Sequence, residues 1–192
     1  RLIFCSSISA YGDINVSNTN ESSKFSPTNV YGSTKASCDL ILESYYKNYN
    51  LDIISLRFST IYGYGRITSC FINDMIKSSS EKKRLVLPFK SDLQWPYIYV
   101  SDVVSSIYKC LFHKNSHGYS YNVGGPDFPS YKQILNLIIS EFSKSNVTFS
   151  KRNKISERKN FSSIKIKKDI KWEPQFNIQK GLKDYFKNLD IK

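Results

Sequence analysis

A tyrosine and a lysine four residues apart, in Tyr31-Gly32-Ser33-Thr34-Lys35, open a stretch of helical pattern and so share one helix face. A free phenol ionises near pH ~10 and is a poor base at neutral pH. A neighbouring ammonium favours the phenolate and lowers that value. Such a pair is suited to taking a proton from a hydroxyl while a hydride leaves the same carbon. Ser7, at the end of the run Leu2-Ile3-Phe4-Cys5-Ser6-Ser7, adds a hydroxyl where a strand stops. The chain has 14 tyrosines, so the tyrosine–lysine spacing alone also fits an ordinary surface helix pair. His113 and His117 have the i,i+4 spacing of metal ligands, but Asn115 and Gly118 mark a helix end and no cysteine or carboxylate cluster accompanies them. No metal site is expected.

The elements that must position these residues alternate between strand and helix. Residues 2–6 read as a strand buried on both faces, which predicts neighbours on both sides and hence a missing N-terminal segment. A polar loop over 10–29 leads to a helix over Val30–Asn50, where Thr34, Cys38, Ile41, Tyr45 and Tyr49 recur at spacings of three and four. Leu40 and Leu42 widen that apolar arc, as expected of a helix packed on a sheet and on a partner. Further strands are predicted over Asp52–Arg57, Leu85–Leu87, Tyr97–Val100 and Tyr119–Val123. Helices are predicted over about 69–79, from Ser101-Asp102 to about Lys114, from a Ser130 cap to about Ser143, and from Asn177 or Ile178 onward. Asp102 reads as a helix N-cap, Trp172 as a packing anchor, and residues 151–171 show no clear pattern. Strands separated by helices imply an α/β fold with a parallel or mixed sheet.

In that frame Ser7 lies at the carboxyl end of a parallel strand, where open α/β sheets bind ligands. Ser7, Pro27 with Tyr31 and Lys35, Leu56-Arg57 and Tyr62-Gly63 follow one another in an order that resembles the extended short-chain dehydrogenase/reductases, the NAD-dependent epimerase/dehydratase family. The resemblance continues through Tyr97-Ile98-Tyr99-Val100-Ser101-Asp102, Tyr121-Asn122-Val123-Gly124-Gly125 and Lys171-Trp172-Glu173-Pro174, and so covers essentially the whole chain. It implies a partial doubly wound Rossmann-like parallel sheet plus a smaller C-terminal substrate-binding region. Residues 1–66 would be the second half of the cofactor domain. Residues 67–192 would mainly bind substrate, with 97–125 returning to the main domain. The cofactor implied is NAD or NADP, and the substrate a nucleotide-linked sugar. Tyr31 matches the catalytic base and acid, Lys35 the residue that holds the cofactor ribose and tunes the tyrosine, and Ser7 the residue that hydrogen-bonds the reacting hydroxyl. Ser59 matches the contact to the nicotinamide end and Thr60 the contact to substrate. The helix at Tyr31–Asn50 matches one that builds a homodimer.

Departures from the pattern narrow the reaction. The 4,6-dehydratases carry an Asp-Glu pair directly after the catalytic Ser/Thr, where this chain has Ile8 and Ser9. Neither can serve as the extra acid or base, which leaves 4-epimerisation through a keto intermediate, or reduction of a keto sugar. Thr60 stands where an Asn is common, and Trp95-Pro96 where Arg-Asp is common. No glycine-rich phosphate turn occurs: Gly63-Tyr64-Gly65 meets Thr68 where a third glycine would fall. The chain alone is thus expected to hold the dinucleotide poorly and to be inactive.

Bulk properties bound the alternatives. The net charge is +12, and residues 1–80 carry 7 basic and 6 acidic side chains, so nearly all the excess lies in 81–192, densest over Lys151–Lys171. A basic tail suits nucleic acid, but few aromatics interleave with these lysines, and an anionic sugar nucleotide suits it equally. The competing class is a non-catalytic remnant, or a basic module that binds nucleic acid or other anions. No apolar run approaches the roughly 20 residues of a membrane span. Cys5, Cys38, Cys70 and Cys110 are too scattered for a metal knuckle, and read as buried thiols of a cytoplasmic protein.

Overall fold

The structure, a computed structural model, describes residues 1–13, 18–114, 120–142, 145–152, 158 and 160–189. Its centre is a three-stranded parallel sheet. Strand β1 (Leu2–Ser7) pairs with β2 (Ile53–Phe58) in the register Ser7↔Phe58, and β2 pairs with β6 (Ser120–Val123) in the register Phe58↔Val123. All six residues of β2 are buried, as the middle strand requires. In β1, Leu2 and Cys5 are exposed and only the last two residues are buried. Among the described residues β2 is its one neighbour.

Helix α1 (Val30–Tyr49) follows β1, and α3 (Val100–Phe112) and α5 (Ile164–Ile170) also pack on the sheet. α1 starts on Asn29, whose side chain accepts from Gly32 N, and stops at Asn50 in the left-handed region with φ 51°. Its packing corrects the periodicity argument. The buried residues are Gly32, Ala36 and Asp39, while Ile41, Tyr45 and Tyr49 are about half or more exposed. The sheet-facing side is small and polar because the helix rides close to the strands, and the apolar stripe faces outward.

A second layer holds two short parallel pairs. β3 (Thr60–Tyr62) pairs with β5 (Tyr97–Tyr99), and β4 (Arg84–Leu87) with β7 (Asn146–Phe149). α2 (Phe71–Ser80), α4 (Tyr131–Phe142) and α6 (Ile178–Lys187) pack around them. β3, β7 and α5 have no counterpart in the sequence reading. The two strands are three and four residues long, too short for periodicity to register. In α5, Ile164-Lys165-Ile166-Lys167 alternates like a strand, yet Ile166 and Ile170 point inward at i,i+4 while Ile164 is exposed. His117, Tyr119, Ser143 and part of the lysine-rich stretch lie outside the described residues.

The core forms two large clusters and a small third one of Ile8, Tyr11 and Phe161. One gathers Ile54, Leu56, Phe58, Ile98, Val103, Tyr121, Ile166 and Trp172 around the main sheet. The other gathers Tyr62, Met75, Phe89, Tyr97, Tyr99, Tyr131, Ile138 and Leu182 around the second layer. β5 feeds both, since successive side chains of a strand point to opposite faces. Trp172 is buried as an anchor, its indole N–H donating to Ser105 Oγ. Asp102 is not the N-cap of α3, which is Tyr99. The Asp102 carboxylate lies one turn in and accepts from Gln175 N and Phe176 N, tying the segment after Trp172 to α3. Cys70 and Cys110 are buried, Cys38 is intermediate and Cys5 is exposed.

Candidate active site

The carboxyl ends of β1 and β2, the first turn of α1 and the strand β3 enclose a cavity of about 730 Å³. Ser7, Ser9, Tyr31, Ser59, Thr60, Tyr64 and Arg66 line it. Four of the five predicted site residues are therefore brought together from three separate stretches of chain. Parallel pairing explains this: Ser7 and Phe58 are in register, so Ser7 and Ser59 leave the sheet side by side. Larger hollows of about 820 and 810 Å³ lie elsewhere, between α1 and α5 and along α3, away from Tyr31.

Local contacts fix each residue. Ser7 caps a short 3-10 turn over Ile8–Tyr11, its Oγ accepting from Ser9 N at 3.1 Å. Gly32 presses against that turn: a Cβ there would stand 2.3 Å from Ser9 O. Only glycine permits the approach, and it sets Tyr31 beside the turn. Tyr31 is 56% exposed. Lys35, the fifth predicted residue, does not line the cavity; its Nζ donates to Cys5 O at 2.8 Å and stands 5.8 Å from the Tyr31 ring centre. The ammonium thus sits beneath the tyrosine, held by the strand that carries Ser7.

Ser59 is buried, and its Oγ has no hydrogen-bond partner among the described residues. Thr60 Oγ1 accepts from the indole N–H of Trp95 at 2.7 Å. Arg66 spends its donors on its own loop, bonding Thr68, Ser69 O and Ile61 O. Among the cavity-lining residues there is no carboxylate, imidazole or thiol. The lining side chains with an exchangeable proton are the phenols of Tyr31, Tyr62 and Tyr64, the Ser and Thr hydroxyls and Arg66.

Behind the site lies a buried polar network that spacing does not reveal. Asp39 on α1 accepts from Ser6 Oγ at 2.6 Å, from Ser55 Oγ, and from Arg57 Nε at 3.3 Å. Arg57 also donates to Tyr11 Oη, Glu21 O and Ser120 Oγ, and Tyr11 donates to Asn122. The network locks α1 to β1 and β2 directly below Tyr31. Burial pushes the Tyr11 phenol up to about 12, against the pull of Arg57. Two polar residues inside the otherwise apolar run of β2, Ser55 and Arg57, were the available signal.

Comparison with known proteins agrees with this arrangement. Residues 1–124 match the NAD dependent epimerase/dehydratase family. A trifunctional UDP-glucose 4,6-dehydratase/UDP-4-keto-6-deoxy-D-glucose 3,5-epimerase/UDP-4-keto-L-rhamnose-reductase of Arabidopsis thaliana is 27% identical over 190 residues, covering 95% of this chain and 28% of that protein. The structure of dTDP-glucose 4,6-dehydratase from Bacillus anthracis in complex with NAD superposes with a TM-score of 0.84 at 28% identity, over 98% of this chain and 62% of that one. UDP-glucuronic acid 4-epimerase from Bacillus cereus, at 23% identity, shares the fold with a TM-score of 0.85, over 96% and 60%. The chain therefore spans less than two thirds of each of these proteins. On the match over residues 1–124 and the partial Rossmann-like sheet, the chain belongs to the NAD dependent epimerase/dehydratase family.

Proposed function

We propose that the complete polypeptide is an NAD(P)-dependent epimerase or keto-reductase of a nucleotide-linked sugar, with Ser7, Tyr31 and Lys35 running its proton chemistry. The observation that carries this reading is the cavity lining, which brings Tyr31 together with the strand-end Ser7 and holds no carboxylate, imidazole or thiol among its described residues. Tyr31 takes the proton of a sugar hydroxyl and returns it when the ketone is reduced. Ser7 holds that hydroxyl. Bound NAD or NADP supplies the hydride acceptor and donor. The residues present fit its nicotinamide end, because the orphaned Ser59 Oγ is a buried hydroxyl with no polar partner among the described residues. Thr60 would contact the sugar.

With Ile8 buried and Ser9 a hydroxyl, the lining offers no carboxylate pair for eliminating water, which favours epimerisation or reduction over dehydration. The relatives named above act on dTDP- and UDP-sugars, and we take a nucleotide-linked sugar as the substrate class. Residues 1–66, joined by 97–125, belong to the cofactor domain in this reading, and the remainder of 67–192 mainly to the substrate region. The outward stripe of α1 makes the protein a homodimer. Among the described residues no helix is long and apolar enough to cross a membrane, and the scattered cysteines fit a cytoplasmic setting.

The test is turnover of the complete polypeptide on UDP- and dTDP-sugars, followed by nicotinamide absorbance. Tyr31→Phe should lower kcat by about 10²–10⁴-fold, the usual contribution of general acid–base catalysis. Lys35→Ala should lower turnover and also weaken cofactor binding. Ser7→Ala should cost roughly 10–100-fold, or about 1.4–2.7 kcal/mol. Wild-type turnover by Tyr31→Phe on every sugar nucleotide that is a substrate would eliminate Tyr31 as the base.

A further inference from the structure

We infer that Tyr64 is a substrate-binding residue, its ring stacking on the C–H face of the sugar whose hydroxyl reacts at Tyr31. The inference rests on the sugar-nucleotide reading and extends it to a residue outside the Ser7, Tyr31 and Lys35 constellation. Tyr64 is 54% exposed, yet it does not stand on an outer face: it lines the same cavity of about 730 Å³ as Ser7, Tyr31 and Thr60. A single exposed aromatic on a convex surface needs no explanation. One set in a concavity among converging hydroxyls is the composition of a ligand pocket, in which flat apolar surface supplies contact and a few polar groups fix orientation.

The loop that carries Tyr64 is built to hold the ring there. Gly63 closes against the start of α3, where an added Cβ would stand 2.5 Å from Val100 Cγ1. Gly65 has φ 82°, although an added Cβ there would meet nothing within 4 Å. That glycine therefore serves the turn of the backbone and not close packing. Arg66 ties the two sides of the turn together, donating to Ile61 O on one side and to Thr68 O and Ser69 O on the other. Tyr185 of α6 meets the Tyr64 ring at a centroid distance of 6.2 Å and an interplanar angle of 85°. An edge-to-face contact of this kind orients a ring without covering it.

The chemistry of the lining matches a sugar ring. A pyranose has a rim of hydroxyls and a face of C–H groups. Ser7, Ser9, Ser59 and Thr60 offer hydroxyls to the rim, and Tyr64 offers a flat apolar surface to the face. Tyrosine is economical in this role, because it brings a large rigid contact area and few rotatable bonds to freeze. Tyr64 also follows Thr60 through β3 and the turn after it, so its ring borders the groups that the proposed function gives to the sugar. Its phenol takes no part in the proton transfer at Tyr31.

The test titrates UDP-glucose, dTDP-glucose and the sugar-free UDP and dTDP into the complete polypeptide. Calorimetry gives the affinities, and NMR follows the sugar C–H protons, which move upfield when they lie over an aromatic face. The wild type should show that upfield shift with a bound sugar nucleotide, and Tyr64→Phe, which keeps the ring, should retain it. Tyr64→Leu keeps an apolar contact for Tyr185 but has no flat face. It should lose the shift and bind the sugar nucleotide about 3–10-fold more weakly, the range of an aromatic ring contact, with the sugar-free nucleotide unaffected. An equal loss for the sugar-free nucleotide would give the ring to the base and overturn the inference. So would a bound sugar nucleotide without the shift in wild type, a measurement that needs no variant to fold, or a shift that survives in Tyr64→Leu. Tyr31→Phe should keep the shift while losing turnover. Loss of the shift alone thus removes Tyr64, unchanged turnover in Tyr31→Phe removes the catalytic reading, and no binding of any sugar nucleotide by wild type overturns both.

Discussion

At the residue scale, the groups with chemistry divide into those that line the cavity and those that hold it up. Asp39 belongs to the second kind: its carboxylate takes three donors inside the protein and is 2% exposed, with Arg57 at 6%. Replacing it by alanine strands the Arg57 charge in the core, so Asp39→Ala should cost about 3–5 kcal/mol. Asp39→Leu combined with Arg57→Met should cost much less than either change alone, because no unpaired charge then remains. Urea unfolding of the single and double variants checks this, and additive losses would show that the pair is not coupled. In the sequence only Ser55 and Arg57, polar residues in an apolar run, hinted at this, while Asp39 sat within a helical pattern. Its role exists only because β1 and β2 bring Ser6, Ser55 and Arg57 to one point. Tyr31, Lys35 and Ser7 were legible because their types and order resemble a known arrangement.

At the element scale, the placement of α1 decides the site. Its contact with the 3-10 turn runs through Gly32, where an added Cβ would meet backbone rather than a movable side chain. Gly32→Ala should therefore push the first turn of α1 away from Ser7. Overpacking of this kind costs typically about 1–3 kcal/mol. A displacement of about 1 Å at a catalytic group can lose about 10²-fold in rate. The expected signature is a large fall in kcat with a modest fall in thermal stability, and equal kcat to wild type would remove Gly32 from the argument. The helix ends were readable from sequence, because Asn29 and Asn50 are capping residues. The helix orientation was not, since both an inward small-residue face and an outward apolar stripe satisfy a helical period.

At the scale of the whole molecule, the outward stripe of α1 has a consequence for assembly. Leu40 and Ile41 are each 54% exposed, Tyr45 49% and Tyr49 69%. Two such faces meeting about a two-fold axis would bury them against each other. Sedimentation of the complete polypeptide at tens of micromolar should show a dimer, and Ile41→Glu with Tyr45→Glu should convert it to monomer; a wild-type monomer would sink the dimer reading. A second global property is set by buried phenols. Tyr11 is raised to about 12, and burial raises Tyr62, Tyr97, Tyr99 and Tyr131 as well. A tyrosine whose folded pKa lies above its unfolded value near 10 binds its proton more tightly when folded. Its contribution is complete below about pH 10 and is lost as pH rises toward 12 and beyond. The urea midpoint should fall steeply above about pH 10; a midpoint unchanged up to about pH 12 would contradict that burial.

The sequence by itself determined the order of most elements, the α/β class, and the pairing of Tyr31 with Lys35, because helical spacing and strand hydrophobicity are local properties of the chain. It also located Ser7, Ser59 and Thr60 through motifs that keep their order along the chain. Tertiary structure decided that four of these residues share one cavity while Lys35 supports it from below, since strand register is set by pairing across about 50 residues of separation. It alone decided that α1 turns its apolar stripe outward and that Ser55 and Arg57 meet Asp39 in the core. Each depends on which surfaces meet, and burial is a property of the contact rather than of the residue.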